Sequence, residues 1–116
     1  MKFFHNPRCS KSRQTLELLT EQGIKPAIVE YLITPPSKEE LQSILDKLGI
    51  TPRALMRQGQ AEYKDNNLND PALSNEQLIQ AMIDNPILIE RPILITKNKA
   101  AIGRPPKLVL DILWAF

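Results

Sequence analysis

Residues 2–31, KFFHNPRCSKSRQTLELLTEQGIKPAIVEY, decide the fold. Lys2 to His5 reads as a short strand that Asn6-Pro7 breaks. From about Ser10 to Gln22 the pattern is helical, with Leu16, Leu19 and Ile24 near one face and Gly23 as the C-cap. Ala27 to Tyr31 reads as a second strand. A strand, a helix and a strand within about thirty residues predict a right-handed βαβ unit with parallel strands.

Beyond this unit, Thr34-Pro35-Pro36 stops the chain. Ser37-Lys38-Glu39-Glu40 has the form of a capping box. The helix it opens carries Leu41, Ile44, Leu45 and Leu48 and ends at Gly49. Thr51-Pro52 caps a short helix through about Arg57, with Pro52 at the first helical position. Gln58 to Leu73 is polar and irregular, a loop with a little helix. Ser74-Asn75-Glu76-Gln77 is a second capping box, and its helix shows Leu78, Ile79, Met82 and Ile83 before stopping at Pro86. Ile93–Thr96 and Ala100–Gly103 flank Lys97-Asn98-Lys99 as a β-hairpin. Pro105-Pro106 opens a last helix with Leu108, Val109, Ile112 and Leu113 inward. The order is β-α-β, a helical insert over about 37–85, then β-β-α. It predicts an α/β thioredoxin-like fold, a single domain over 1–116 with a four-stranded mixed sheet.

Composition narrows the function classes. A chain of 116 residues, 42% apolar and 24% charged, suits one globular domain with its own core. A formal charge of +2 is too small for a nucleic-acid protein. The opening Met1-Lys2-Phe3-Phe4-His5-Asn6-Pro7 has no run suited to a signal peptide, and no stretch approaches the ~18–20 apolar residues of a membrane span. The single cysteine forms no internal disulfide, so a reducing cytoplasm is the expected location.

That cysteine, Cys9, falls between the first strand and the first helix. Backbone N–H groups of a first helical turn, and the positive end of its dipole, favour a thiolate. Arg8 and Lys11 add positive charge, and the Ser12 hydroxyl, three residues on, is in range of the sulfur. The same features bind oxyanions. The plain alternative is a small buried apolar residue, as free cysteines often are.

Three arginines stand at element boundaries: Arg57, Arg91 and Arg104. Guanidinium forks suit tetrahedral oxyanions because they offer paired donors and keep their charge. The alternative for each is a solvated surface arginine. Pro92 precedes a strand, where a thioredoxin-like fold places a cis-proline. His5, at the end of the first strand, either tunes the thiolate or is a hydrogen-bonded structural histidine. One Cys and one His do not supply the usual four ligands of a metal site.

Five segments together carry a resemblance: His5-Asn6-Pro7-Arg8-Cys9-Ser10-Lys11-Ser12-Arg13; Tyr31-Leu32-Ile33-Thr34-Pro35-Pro36; Arg53-Ala54-Leu55-Met56-Arg57; Asn85-Pro86-Ile87-Leu88-Ile89-Glu90-Arg91-Pro92-Ile93; and Gly103-Arg104-Pro105-Pro106. In this order, over nearly the whole chain, they resemble the glutaredoxin-coupled arsenate reductase (ArsC) family. The chain stops at Trp114-Ala115-Phe116, without the longer polar tail of several members, and so resembles the short chromosomal type. The resemblance implies Cys9 as nucleophile, Arg57, Arg91 and Arg104 as oxyanion ligands, and His5 and Ser12 as supports of the thiolate. It implies arsenate as substrate, glutathione as co-substrate, glutaredoxin as partner and no bound cofactor. With no second cysteine, an outside thiol must resolve the intermediate. Two alternatives stand beside this reading, the first sharing the fold. A Spx-type regulator binds RNA polymerase and often carries Cys-x-x-Cys, where this chain has Ser12. A glutathione-linked thiol-disulfide protein needs Cys9 and Ser12 but no arginine triad.

Overall fold

Strand β1 (Lys2–Phe4), helix α1 (Ser10–Glu21) and strand β2 (Ala27–Val29) form the first βαβ unit, as the apolar spacing predicts. The structure, a computed structural model, describes residues 1–113. Trp114-Ala115-Phe116, read above as the end of the chain, lie outside the described residues. The fold divides into two compact units, one of residues 1–34 with the segment from Arg91 onward, the other of Pro35–Glu90.

In the first unit, β3 (Ile93–Ile95) and β4 (Ala100–Ile102) complete a four-stranded sheet of order β2-β1-β3-β4. β1 runs parallel to β2 and antiparallel to β3, and β3 runs antiparallel to β4. This is the mixed, thioredoxin-like sheet. Register places Phe3 opposite Leu94, and Leu94 opposite Ala101. Because side chains alternate along a strand, these three share one face. There Phe3 and Leu94 join Leu19 of α1 and Val109 and Leu113 of the last helix in one core. On the opposite face Phe4 stacks on Tyr31, with centroids 5.9 Å apart.

Two local readings in this unit need correction. Gly23 is not the C-cap of α1; Gln22 is, and Gly23 follows it with φ +75°. Ile24 N–H donates to Leu19 O and Gly23 N–H to Thr20 O. That pair is a Schellman motif, which needs a left-handed residue just past the cap. The last helix, Pro106–Ile112, is 3₁₀ rather than α. Along it Val109 and Leu113 are buried while Leu108, expected inward, is exposed.

The second unit holds α2 (Lys38–Leu48), α3 (Pro52–Leu55), α4 (Ala61–Asp65), α5 (Asn75–Asp84) and a 3₁₀ turn at Pro86–Leu88. Ser37, Thr51 and Ser74 each cap a helix through the side-chain oxygen. At Ser74 the box closes both ways, with Gln77 Oε1 accepting from Ser74 N–H at 2.7 Å. Leu41, Ile44 and Leu45 of α2 and Leu55 of α3 are buried, as are Leu78, Ile79 and Met82 of α5, against which both helices pack.

α3 stops at Leu55 rather than near Arg57. Met56 is extended and bridges Ile89, while Arg57 N–H donates to Leu88 O at 2.7 Å and Glu90 N–H to Leu55 O at 3.0 Å. These pairings replace the helical ones. Arg53 fixes the polar segment after them. Its guanidinium donates to the Tyr63 hydroxyl, to Leu68 O and to Asp70 O at 2.6, 2.6 and 2.8 Å. Among the described residues, no helix is long and apolar enough to cross a membrane.

Candidate active site

Cys9 is the N-cap of α1, with extended backbone (φ −93°, ψ 122°). The loop before it is tied by Cys9 N–H to Asn6 O and by Arg8 N–H to Asn6 Oδ1, both at 3.0 Å. Arg13, one turn into the helix, donates to Pro7 O at 2.9 Å. Cys9 itself is 8% exposed. Burial alone pushes its thiol up. Against that, the nearby backbone N–H groups of Ser12 and Lys11 and the charge and donor of Arg91 favour the charged form, although the Cys9 side chain closes no capping hydrogen bond of its own. The net direction is down, which favours the thiolate. Arg104 adds an Nη2 donor 3.8 Å from the sulfur.

Ser12 supports this sulfur through its backbone, not through its side chain. Its buried hydroxyl accepts Asn6 N–H at 3.0 Å and shares a 2.7 Å hydrogen bond with His5 Nδ1. The expectation that it aims at Cys9 overlooked these two nearer claims. His5 is buried too, and burial holds its imidazole below the usual range. Glu30 raises it and Arg13 lowers it by smaller amounts.

The two arginines reach the sulfur because β3 and β4 pair. With Ile93 opposite Ile102, the residues before β3 and after β4 lie side by side. Gly103 N–H donates to Pro92 O at 2.9 Å, and Arg104 Nε donates to Arg91 O at 2.7 Å. The Arg91–Pro92 bond is cis, as the fold leads one to expect, and so is Arg104–Pro105, which the sequence reading did not anticipate. Gly103 is the tightest point. A Cβ there would lie 2.7 Å from Thr15 Oγ1 and 2.9 Å from Pro92 Cγ. Thr15 was missed as a supporting residue. Its place one turn after Lys11 on the buried helix face was the available signal.

The first unit thus gathers Cys9, His5, Ser12, Arg91, Pro92 and Arg104. Arg57 belongs to the second unit, where its backbone pairs with Leu88. Among the described residues no cluster of three or more His, Cys, Asp or Glu is placed to hold a metal ion. What the first unit offers is a nucleophilic sulfur facing N–H donors and guanidinium charge, a combination suited to attack on an anion.

Comparison with known proteins agrees with this chemistry. The chain is 55% identical to the uncharacterized protein YfgD of Escherichia coli K12 over 113 residues, 97% of this chain and 95% of that one. It is 51% identical to an arsenate reductase of Haemophilus influenzae over 111 residues, 95% and 96% of the two chains. The solved arsenate reductase from Vibrio cholerae matches with a TM-score of 0.93 at 49% identity, covering 97% of this chain and 98% of that one. Residues 4–112 match the ArsC family, and on a match of that extent, with Cys9 at the start of α1, the chain belongs to that family.

Proposed function

We propose that the protein is an arsenate reductase using Cys9 as its nucleophile, with glutathione as co-substrate and glutaredoxin as partner. The observation that carries this reading is the Cys9 sulfur at the start of α1, with Arg104 Nη2 3.8 Å away and its thiol lowered by the first-turn N–H groups and Arg91. Donors that stabilise a thiolate also serve a bound oxyanion. Arg91 and Arg104, with Arg57 as the third ligand, hold arsenate. His5, Ser12 and Pro92 keep the loop and the strand ends in place. The site needs no metal or bound cofactor, and a reducing cytoplasm keeps the single thiol active. Both compact units act as one functional domain.

The steps balance without a second cysteine. The Cys9 thiolate attacks arsenic, an arsenic–sulfur bond forms, and one oxygen leaves as water after taking up protons. Glutathione thiolate then attacks the adduct. A sulfur–sulfur bond replaces the arsenic–sulfur bond, whose electron pair stays on arsenic and takes it from +5 to +3. Arsenite departs, and glutaredoxin reduces the Cys9–glutathione disulfide by thiol exchange. The test is arsenate reduction with glutathione and glutaredoxin, using Cys9→Ser as control. Activity that requires Cys9 and both thiol components supports the proposal. An inactive wild-type protein at high enzyme concentration overturns it.

A further inference from the structure

We infer that Gln60 is a positioning residue for Arg57, a neutral clamp that sets the guanidinium for the oxyanion without spending its charge. The inference rests on the reading of Arg57 as an oxyanion ligand. Its structural basis lies in four residues. Arg57-Gln58-Gly59-Gln60 close a turn, with Gln60 N–H donating to Arg57 O at 3.2 Å. The Gln60 amide is assigned with its oxygen toward Arg57, since its nitrogen would meet only donors there; so placed, it accepts from both terminal nitrogens of Arg57, Nη2 at 2.9 Å and Nη1 at 3.0 Å. The backbone of Arg57 is pinned to Leu88, so the clamp acts on an anchored stem.

Gln60 is also the N-cap residue of α4, yet its side chain makes no cap hydrogen bond. Ser, Thr, Asp or Asn normally serves at that position by accepting the helix's own N–H groups. Here the amide turns away from the helix toward the arginine. One oxygen seated between the two Nη atoms occupies the end of the guanidinium fork. A guanidinium carries five N–H donors, of which Gln60 takes two, and bidentate recognition of a tetrahedral oxyanion uses a further pair. The choice of an amide matters. A carboxylate at residue 60 would hold the fork as well but would cancel the charge the oxyanion needs. Arg53 steadies the arrangement, since it bonds Tyr63, whose own N–H donates to Gln60 O.

The test compares Gln60→Ala, Gln60→Glu, Arg57→Ala and Arg57→Ala/Gln60→Ala. Turnover is read in the coupled assay, and arsenate binding is read on the Cys9→Ser background. Loss of a hydrogen bond to a charged group predicts KM and Kd for arsenate about tenfold higher in Gln60→Ala. Because the loss is of binding, kcat stays within about twofold. The double variant binds no worse than Arg57→Ala, because Gln60 has nothing left to orient. Gln60→Glu, nearly isosteric and so expected to fold like the wild type, weakens binding at neutral pH. Its deficit relative to wild type shrinks as the pH falls through the carboxyl's titration, which a merely structural role does not produce. The inference is overturned if Gln60→Ala binds arsenate like the wild type, if the two losses simply add, or if the Gln60→Glu deficit ignores pH. If Arg57→Ala itself binds normally, the reading of Arg57 fails and this inference with it. If only Arg57→Ala is impaired, this inference alone fails.

Discussion

Gly103→Ala tests how tightly the strand ends beside the sulfur are packed. The added Cβ would lie 2.7 Å from Thr15 Oγ1, 2.9 Å from Pro92 Cγ and 3.0 Å from Thr15 Cγ2. Carbon contacts are most favourable at about 3.5–4.0 Å, so all three are repulsive. None of the neighbours yields easily. Thr15 is fully buried and its hydroxyl donates to Lys11 O at 2.7 Å, while Pro92 is a buried ring tied to Gly103 through the hydrogen bond at its carbonyl. Overpacking of this kind costs about 1–3 kcal/mol. In a chain this size that lowers Tm by about 4 °C per kcal/mol. Urea unfolding supplies the free energy, and the second variant is Thr15→Ala. It removes two of the three contacts and one hydrogen bond, so by itself it costs about 1 kcal/mol. Combined with Gly103→Ala it relieves most of the clash, and the cycle gives a favourable coupling of about 1–2 kcal/mol. A Gly103→Ala protein as stable as wild type, or costs that add, would refute the packing argument.

Arg91→Ala moves the Cys9 titration, followed by thiolate absorbance, to higher pH, because it removes the opposing charge and one hydrogen bond; the pH at which activity rises moves with it. Ser12→Ala strips one acceptor from Asn6 N–H and one partner from His5 in a buried site, so it costs about 1–3 kcal/mol in urea unfolding. Arg53→Ala removes three hydrogen bonds from a charged donor and costs about 2–3 kcal/mol, with faster hydrogen exchange over residues 61–70 as its local signature. Cys9 and His5 are both lowered on folding, so in each case the native state holds fewer protons than the unfolded chain. Stability therefore rises with pH below 6.5 for His5 and again below 9.0 for Cys9; His5→Gln removes the first rise and Cys9→Ser the second.

Features set by neighbours in sequence were legible, and those set by distant pairing were not. The start of α1 follows from the Asn6-Pro7 break just before it, and the Ser74 box from capping chemistry within four residues. Cys9 at a helix start was readable for the same reason. Arg91 and Arg104 were visible only as boundary residues; their adjacency depends on the register of Ile93 with Ile102. Thr15 and Gly103 touch across 88 residues of chain (103 minus 15), which no local pattern reports. The last helix misled because apolar residues at 108, 109, 112 and 113 fit an α-helical stripe. The chain there winds as 3₁₀, and Leu108 leaves the core. The turn that carries Gln60 was hidden for a different reason. Gln58-Gly59-Gln60 is polar throughout, and polarity does not distinguish a solvated loop from a built clamp.

The misreading of Ser12 bears on how the thiolate is made. A hydroxyl aimed at sulfur is a single adjustable donor, and its proton rotates with its surroundings. Backbone N–H groups of a first helical turn cannot rotate away, and they lack intrahelical partners in any case. Setting the sulfur beside the Ser12 and Lys11 N–H groups, which favour its charged form, therefore gives a donor set that needs no reorganisation when negative charge builds there. That leaves the hydroxyl for another task. By accepting Asn6 N–H and joining His5 at 2.7 Å, it ties the end of β1 to α1 across the loop that presents Cys9. With burial holding His5 toward its neutral form, Nδ1 can accept the Ser12 proton, and each atom of this small network then has a single role. The serine thus acts on the cysteine from both its ends, through charge at its nitrogen and through geometry at its oxygen. The residue three positions after Cys9 is therefore more constrained than a donor to sulfur alone would be. A cysteine there would keep the N–H and lose the tie.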